Sequence, residues 1–438
     1  MGLKRTLGLL DATFVGVGAI IGAGIFVVLG VAIGYAGPSI IMSMVIAGVV
    51  GSFTAFSFAE LSSAIPEEGG AYSYAYNTIS PFVGFLVGCL WLFAQIVAGA
   101  AISLGFASYF VAAFPMFPVK AIAVIVASAL TALNLIGIKQ SAKVNNVLVI
   151  AKIAILGLFI IVGMLYSEPR NLIEFAPNGF FGVLQGAGFI FFAYLGFGRI
   201  ATLGEEVKNP ERTLPLSILI ALAISLAMYV LTGFTATGLL HYQVLAQSGS
   251  PLAEAAKTTG NAALVAAVSL GALVATTSVL LTNLIGVSRV AFAMARHRQL
   301  PSTVAKVSAR FGTPYVSILT MGALLTVLAF LLDLKQAAAI TSCSILGVHL
   351  AANASVIKLR RRKADKPRFR MPLYPLIPSL GLISCPILML SLPQESWIVT
   401  AIVVAASATA YLLLVRPQTN VLSRKAEPVH RSRSRPAP

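Results

Sequence analysis

Acidic charge is scarce in this chain. It carries 14 Asp and Glu in 438 residues against 31 Lys and Arg, with only four His, three Cys and two Trp. Charged residues make up 10% of the chain and hydrophobic residues 58%, and the mean hydropathy is +0.91. That balance excludes an ordinary water-soluble domain and reads as a polytopic membrane protein. Cys89, Cys343 and Cys385 lie in apolar segments at no metal-ligand spacing and read as packing residues. No HExxH, GxSxG, P-loop or His/Cys cluster occurs, so hydrolase, ATPase and redox chemistry lack their residues; no enzyme activity, metal or cofactor is expected. A pump would also need a soluble nucleotide domain, for which no segment is left. The opening MGLKRTLGLLDATF is basic but shows no small-residue cleavage site and runs straight into a full apolar span, so no cleaved leader is expected.

What is present is a succession of apolar runs, read as twelve spans: 12–35, 39–64, 81–112, 118–136, 144–166, 183–203, 215–240, 261–294, 315–332, 336–357, 376–392 and 396–415. Prolines such as Pro38, Pro66, Pro81, Pro118, Pro177, Pro215, Pro301 and Pro314 sit between or just inside them, where a missing N–H costs least. With the N-terminus inside, 24 of the 31 Lys and Arg fall on the cytoplasmic side, in the stretches around Lys4, Lys139, Lys208, Arg296–Arg310, Lys358–Arg370 and the tail. Lys120, Arg170, Lys257 and Lys335 alone fall in external loops. This asymmetry predicts a multi-pass protein of the cell membrane with both termini cytoplasmic. It also accounts for the formal charge of +17. The basic stretches Lys358–Arg370 and Arg424–Pro438 read as topology anchors and a disordered tail, or as contacts to anionic lipid. They lack the fold and interleaved aromatics of a nucleic-acid module, so no nucleic-acid partner is expected.

The first span holds GVGAIIGAGIF, Gly16–Phe26, with four glycines at mid-depth. Glycine costs about 1 kcal/mol per residue in a helix relative to alanine. A continuous helix gains nothing from four of them, apart from a close helix contact through Gly18-x-x-x-Gly22. A helix broken near Ile21–Gly24 does gain, because bare backbone at mid-membrane depth can line a cavity that holds a polar solute. One half-helix then offers N–H groups and the other offers carbonyls. FFAYLGFG, Phe191–Gly198, puts Gly196 and Gly198 at mid-depth in span six. Spans one and six each open a set of five, and an odd number of spans per set inverts the second set. Glycine-interrupted spans at matching positions of two halves point to a midplane binding site.

Four motifs in register then carry a resemblance: GVGAIIGAGIF, ELSSAIPEEGGAYSYAY (Glu60–Tyr76), FFAYLGFGRIATLGEEVKNPERTLP (Phe191–Pro215), and RVAFAMARHRQLP (Arg289–Pro301) with Thr313–Pro314. Over about Leu7–Arg416 the chain resembles the amino acid–polyamine–organocation transporter superfamily. The resemblance implies an all-α integral membrane fold of about twelve transmembrane helices: a five-plus-five inverted repeat with spans one and six broken, then two peripheral helices. The parts are expected at 1–11 (cytoplasmic N-terminus), 12–166 and 167–358 (the two repeats), 359–415 (basic loop and spans eleven and twelve) and 416–438 (basic tail). Departures are visible. Gly198–Arg199 follows FFAYLGF where many relatives have an acidic residue, His297–Arg298 stands where Asp-Gly is common, and Trp91–Val97 lacks the carboxylate of the cationic branch.

The resemblance implies a secondary transporter of a small amino acid. Backbone N–H groups around Ile21, Gly22, Ala23 and Gly24 would bind the substrate carboxylate. Carbonyls around Ala19–Ile20 and Phe191, Phe192, Ala193 and Tyr194, beside Gly196, would bind the ammonium. Phe192 is the candidate gate, with aromatic packing as the alternative. Lys152, in the middle of span five, costs about 2.5–3.5 kcal/mol to insert, and burial disfavours its charged form. The resemblance implies proton coupling there, with the Gly18 carbonyl and a hydroxyl of Thr276, Thr277 or Ser278 as partners; snorkelling to the interface is the alternative. Arg199 reads as a partner of Glu205 or Glu206, or as a group reaching a vestibule or an anionic substrate. His349 reads as a hydrogen-bonded core histidine. No carboxylate sits mid-span in spans one, three, six, eight or ten, so a neutral amino acid is expected, taken up by proton symport. An amino acid or polyamine exchanger is the alternative in the same class, and an amino acid sensor the alternative outside it; the short loops and tail supply no signalling domain. The expected partners are the amino acid, the proton and membrane lipid; oligomeric state is not legible.

Overall fold

A computed structural model describes residues 7–65, 69–137, 142–203, 207–361 and 369–415. The described residues are helical almost throughout, because a backbone in lipid must satisfy its own polar groups. In chain order the helices are α1 (Leu9–Ile20), α2 (Leu29–Ala36), α3 (Ile40–Ala64), α4 (Ala71–Thr78), α5 (Pro81–Ala113), α6 (Val119–Ile136), α7 (Ala142–Leu165), α8 (Gly179–Ile190), α9 (Pro210–Leu239), α10 (Tyr242–Gln247), α11 (Pro251–Lys257), α12 (Ala262–Arg296), α13 (Tyr315–Leu331), α14 (Leu334–Arg361), α15 (Leu376–Ser391) and α16 (Gln394–Ala410). Among the described residues, nine runs are long and apolar enough to cross a membrane; α13 and α15 are shorter apolar helices. The first of these runs, Leu9–Ala64, reverses at Gly37, whose φ of 62° suits glycine and separates α2 from α3.

Local chemistry sets the helix ends. The Ser80 hydroxyl accepts from the Val83 N–H at 3.2 Å, with Pro81 opening α5. Asn261 caps α12 through the Leu264 N–H at 3.1 Å. Gly137, at φ 82°, closes α6.

Burial separates a centre from a rim. In α5, 78% of the most apolar window is buried, against 17% in the run that contains α16. Outward-facing Ile125, Ile150, Ile161, Leu331, Ile383 and Ile402 leave an apolar surface that suits lipid rather than water. At the centre α3 packs on α9, α5 on α12 and α1 on the segment that follows α8, and nearer the rim α6 packs on α13. In the numbering of apolar runs read from the sequence, each pairing joins a run to the one five places later.

The two glycine-bearing spans differ from each other. In span one, α1 stops at Ile20, Ile21 turns extended (φ −73°, ψ 95°), and a wide π-type turn, Gly24–Val28, leads into α2. In span six, the chain passes at Phe191 from α8 into a tight 3-10 helix, Phe191–Leu203. The winding thus changes at Phe191, the first residue of the Phe191–Gly198 stretch in which the break is expected, and helical structure continues through Gly196 and Gly198. Runs of 3-10 helix this long are uncommon and mark strain or function. Gly196 serves close packing instead, as described below.

One end of the bundle is tied together. Leu7 pairs with Val207, and the Lys208 N–H donates to the Leu7 carbonyl at 2.9 Å. Glu60, fully buried at the end of α3, accepts Arg360 Nε at 2.6 Å and Nη2 at 2.7 Å, and also the Met371 N–H at 2.8 Å. Arg360 also stacks over the Tyr374 ring, 4.1 Å from its centroid. Glu205, Glu206, most of Lys358–Arg370 and the tail 416–438 lie outside the described residues, as does the Arg199 side chain.

Candidate functional site

The two altered spans meet backbone to backbone. A methyl group on Gly24 would collide with the Ala193 backbone, and one on Gly196 would collide with the backbone of Ala19 and Ile20. Two glycines, one on each span, thus permit two close crossings that any side chain would forbid. The Tyr229 hydroxyl on α9 closes the junction: it lies 2.6 Å from the Ile20 carbonyl oxygen and 3.1 Å from that of Ala193, and donates its one proton between them. The N–H groups that open the resumed helix of span one have no helical acceptor, and its positive dipole end faces the gap.

A cavity opens at this junction. Ala19, Ile20, Ala23 and Gly24 form one wall, with Phe192, Leu195 and Gly196 of the 3-10 helix beside them. Gln95, Ala98 and Ile102 of α5 and Val279 and Asn283 of α12 face them. The empty space, counted out to the open mouth, is about 370 Å³. No charged side chain lines it.

Of the candidate residues, Ala19, Ile20, Ala23, Gly24, Phe192 and Gly196 reach this wall, and Phe192 is only 5% exposed. The side chains of Ile21, Phe191, Ala193 and Tyr194 are buried elsewhere. Gly22 lies against Val279. The Phe191 ring packs on His349, and the Tyr194 hydroxyl donates to the Met44 carbonyl on α3 at 3.1 Å. Three polar residues went unread in the sequence: Tyr229, Gln95 and Asn283. Asn283 Nδ2 donates to Gln95 Oε1 at 2.9 Å, while Asn283 Oδ1 is buried with no partner among the described residues. A carboxamide in the middle of an apolar run was the available signal, since such groups are costly in lipid and mark pathways.

Lys152 on α7 is 2% exposed. Its ammonium is turned inward to span one and donates to the Gly18 carbonyl at 3.1 Å. Val149 and Asn145 of the same helix press on Gly18. The hydroxyls of Thr276, Thr277 and Ser278 donate to carbonyls of their own helix, those of Ala272, Leu273 and Ala275. Their lone pairs are what a cation could use.

A second cavity, of about 420 Å³ to its mouth, shares Gln95 and Leu195 with the first and reaches Gly69, Gly70 and Ala71 at the start of α4. His349 lines it. Among the described residues the histidine does not have the core hydrogen bond that a lone histidine in an apolar span suggests. Its Nδ1 is buried with no partner, and its neighbours are the rings of Phe58, Phe191 and Phe197.

An all-helical bundle with an apolar rim, an interrupted central span and a neutral, largely buried cavity at the interruption defines a multi-pass membrane permease. Residues 7–423 match the family model described as amino acid permease, and the chain belongs to that family. It is 36% identical over 434 residues to the methylthioribose transporter of Bacillus subtilis, covering 94% of each chain. It is 33% identical over 413 residues to a branched-chain amino acid permease of the same organism, covering 89% of this chain and 88% of that one. An uncharacterized transporter of Mycobacterium tuberculosis is 38% identical over 413 residues, covering 93% and 91%.

Proposed function

We propose that the chain is a secondary active transporter that takes up a neutral amino acid with a proton by alternating access. The observation that carries this is the stop of α1 at Ile20, with the bared backbone on a cavity wall. The substrate carboxylate sits at the N–H groups of the Ile21–Gly24 stretch, of which that of Ile21 already donates to the Val17 carbonyl at 2.7 Å, and its ammonium at the carbonyls of Ala19–Ile20 and Phe191–Tyr194, two of which Tyr229 already shares. Phe192 closes over it. Lys152 supplies the proton site, and its bond to Gly18 links proton occupancy to the position of span one. The absence of lining charge supports a neutral substrate, since an unpaired buried charge costs several kcal/mol.

The architecture we propose has twelve crossings, two inverted sets of five within 12–166 and 167–358, and two peripheral helices in 359–415. Packing of each of spans one to four on the span five places later supports this arrangement. The end that holds α4 and the Glu60–Arg360 pair is assigned to the cytoplasm, and both termini with it, from the distribution of basic residues.

A second substrate reading has its own observation. The unpartnered Asn283 Oδ1 beside Gln95 would accept a hydroxyl, and a relative 36% identical is named a methylthioribose transporter. A hydroxylated neutral solute is the competing cargo. One experiment addresses both: uptake into proteoliposomes of an amino acid panel and of methylthioribose, with and without an imposed pH gradient. Counterflow without a gradient identifies an exchanger. No uptake or counterflow of any amino acid would overturn the amino acid reading.

A further inference from the structure

The first cavity is bounded by Ile102 of α5 and by Gly24 of span one. Two turns further along α5, away from α4, lies the buried Tyr109. Its hydroxyl donates to the Phe26 carbonyl, in the wide turn of span one, at 2.7 Å, and the two rings meet edge to face. The same oxygen faces the backbone N–H groups of Leu252 and Ala253 in the first turn of α11. A helix leaves such first-turn groups without a helical acceptor. In α11 the cap residue Ser250 makes no side-chain bond, and its carbonyl takes the Glu254 N–H at 3.0 Å instead. One hydroxyl therefore joins three elements: α5, span one and the hairpin of α10 and α11.

Packing around this junction leaves no gap. A methyl group on Gly105 would strike Val27 of span one, one on Gly30 the Leu245 carbonyl of α10, and one on Gly249 the Ser108 side chain. Toward α4 the interior is open, since the first cavity shares Gln95 and Leu195 with the second, which reaches Gly69–Ala71. The cavity is thus shut on the side of α10 and α11, the side assigned to the exterior.

While the hairpin is seated, the Phe26 carbonyl and the two α11 N–H groups are buried, and leaving them unmet is unfavourable. Once the hairpin lifts, water serves them and the hydroxyl is no longer needed. Its contribution belongs to the shut state alone, so it biases the balance between shut and open.

We propose that Tyr109 is a positioning residue of the transport cycle: its hydroxyl latches the outer hairpin to span one, and its release opens the central cavity to the exterior. The proposal rests on the alternating-access reading and adds the contact that sets its outer balance.

The test reads access from outside. A full-length, cysteine-free protein carrying Ile102→Cys is exposed to an impermeant maleimide in intact cells; Ile102 is buried beneath the latch. Tyr109→Phe, which keeps the ring and loses the hydroxyl, should raise the labelling rate at least tenfold. The control retains Cys343 alone, buried on α14 beside Thr400, and its labelling should stay slow with or without Tyr109→Phe. An unchanged rate at Ile102→Cys would overturn the latch. Equal acceleration at Cys343 would overturn it too, by making the hydroxyl a general support of the fold. A second protein leaves Tyr109 in place and carries Ser108→Cys with Gly249→Cys. The Cβ positions there lie 2.9 Å apart, close enough to bridge after a small shift. Oxidation should stop L-leucine uptake and a reductant should restore it; undiminished uptake by the bridged protein would show that the hairpin need not lift, and the proposal would fall. Labelling is read without cargo, so a parent protein that moves no amino acid refutes the transport reading and leaves the latch to be judged on access alone.

Discussion

The ammonium of Lys152 lies 3.1 Å from the carbonyl oxygen of Gly18, so a side chain on α7 grips span one just before α1 stops. If the proton is the coupling ion, that grip is what protonation controls. Lys152→Ala should leave binding of the best substrate within about threefold yet abolish uptake driven by a pH gradient. Lys152→Arg should also fail, because guanidinium does not deprotonate in this range. Concentrative, gradient-driven uptake by a well-folded Lys152→Arg protein in proteoliposomes would take Lys152 out of the mechanism.

Gly24 and Gly196 test the crossing of the two spans. Gly24→Ala and Gly196→Ala each place a methyl inside backbone that cannot swing aside. Overpacking costs typically about 1–3 kcal/mol, so both should lower the melting temperature in detergent and weaken substrate binding. Gly157→Ala on α7 is the control: a Cβ there meets nothing within 4 Å, and the gain in helix propensity makes it neutral or stabilising. Equal melting of all three proteins would remove the packing argument.

The carboxamide pair tests cargo. Asn283→Leu removes the unpartnered acceptor and its bond to Gln95. Competition by a hydroxylated solute such as methylthioribose should weaken about tenfold, the equivalent of 1.4 kcal/mol, while leucine competes as well or better. Arginine should compete poorly with either protein, because no lining carboxylate meets its side chain. Isothermal titration in which arginine binds tighter than leucine would refute a neutral cargo.

Arg360→Ala strands Glu60, which is fully buried. Breaking a buried pair in this way costs about 3–5 kcal/mol. Arg360→Ala/Glu60→Gln should recover part of the loss by removing the stranded charge; thermal unfolding of the single and double variants measures the difference.

Orientation is tested on residues beyond the described ones. Single cysteines at Ala364 and Ser432 in a cysteine-free background should resist impermeant thiol reagents in intact cells. Strong labelling of either from outside would reverse the assignment.

The apolar runs were legible because lipid leaves a backbone few options, and length and hydropathy then locate the helices. The mid-span glycines in Gly16–Phe26 and the buried cation at Lys152 were equally visible, since each is costly in lipid without a purpose. The tertiary structure decided what those residues face. Gly196 turned out to serve a close crossing rather than a break, because only the packed neighbour, the Ala19–Ile20 backbone, makes a missing Cβ necessary. Tyr194 and Phe191 sit beside the junction in sequence, but the tight winding of Phe191–Leu203 turns Phe192, Leu195 and Gly196 to the cavity instead. Gln95 and Asn283 are 188 residues apart, and Tyr229 lies 209 residues from Ile20. Side-chain pairs at such separations leave no periodic signal in a single sequence; they exist only once the helices that carry them have packed.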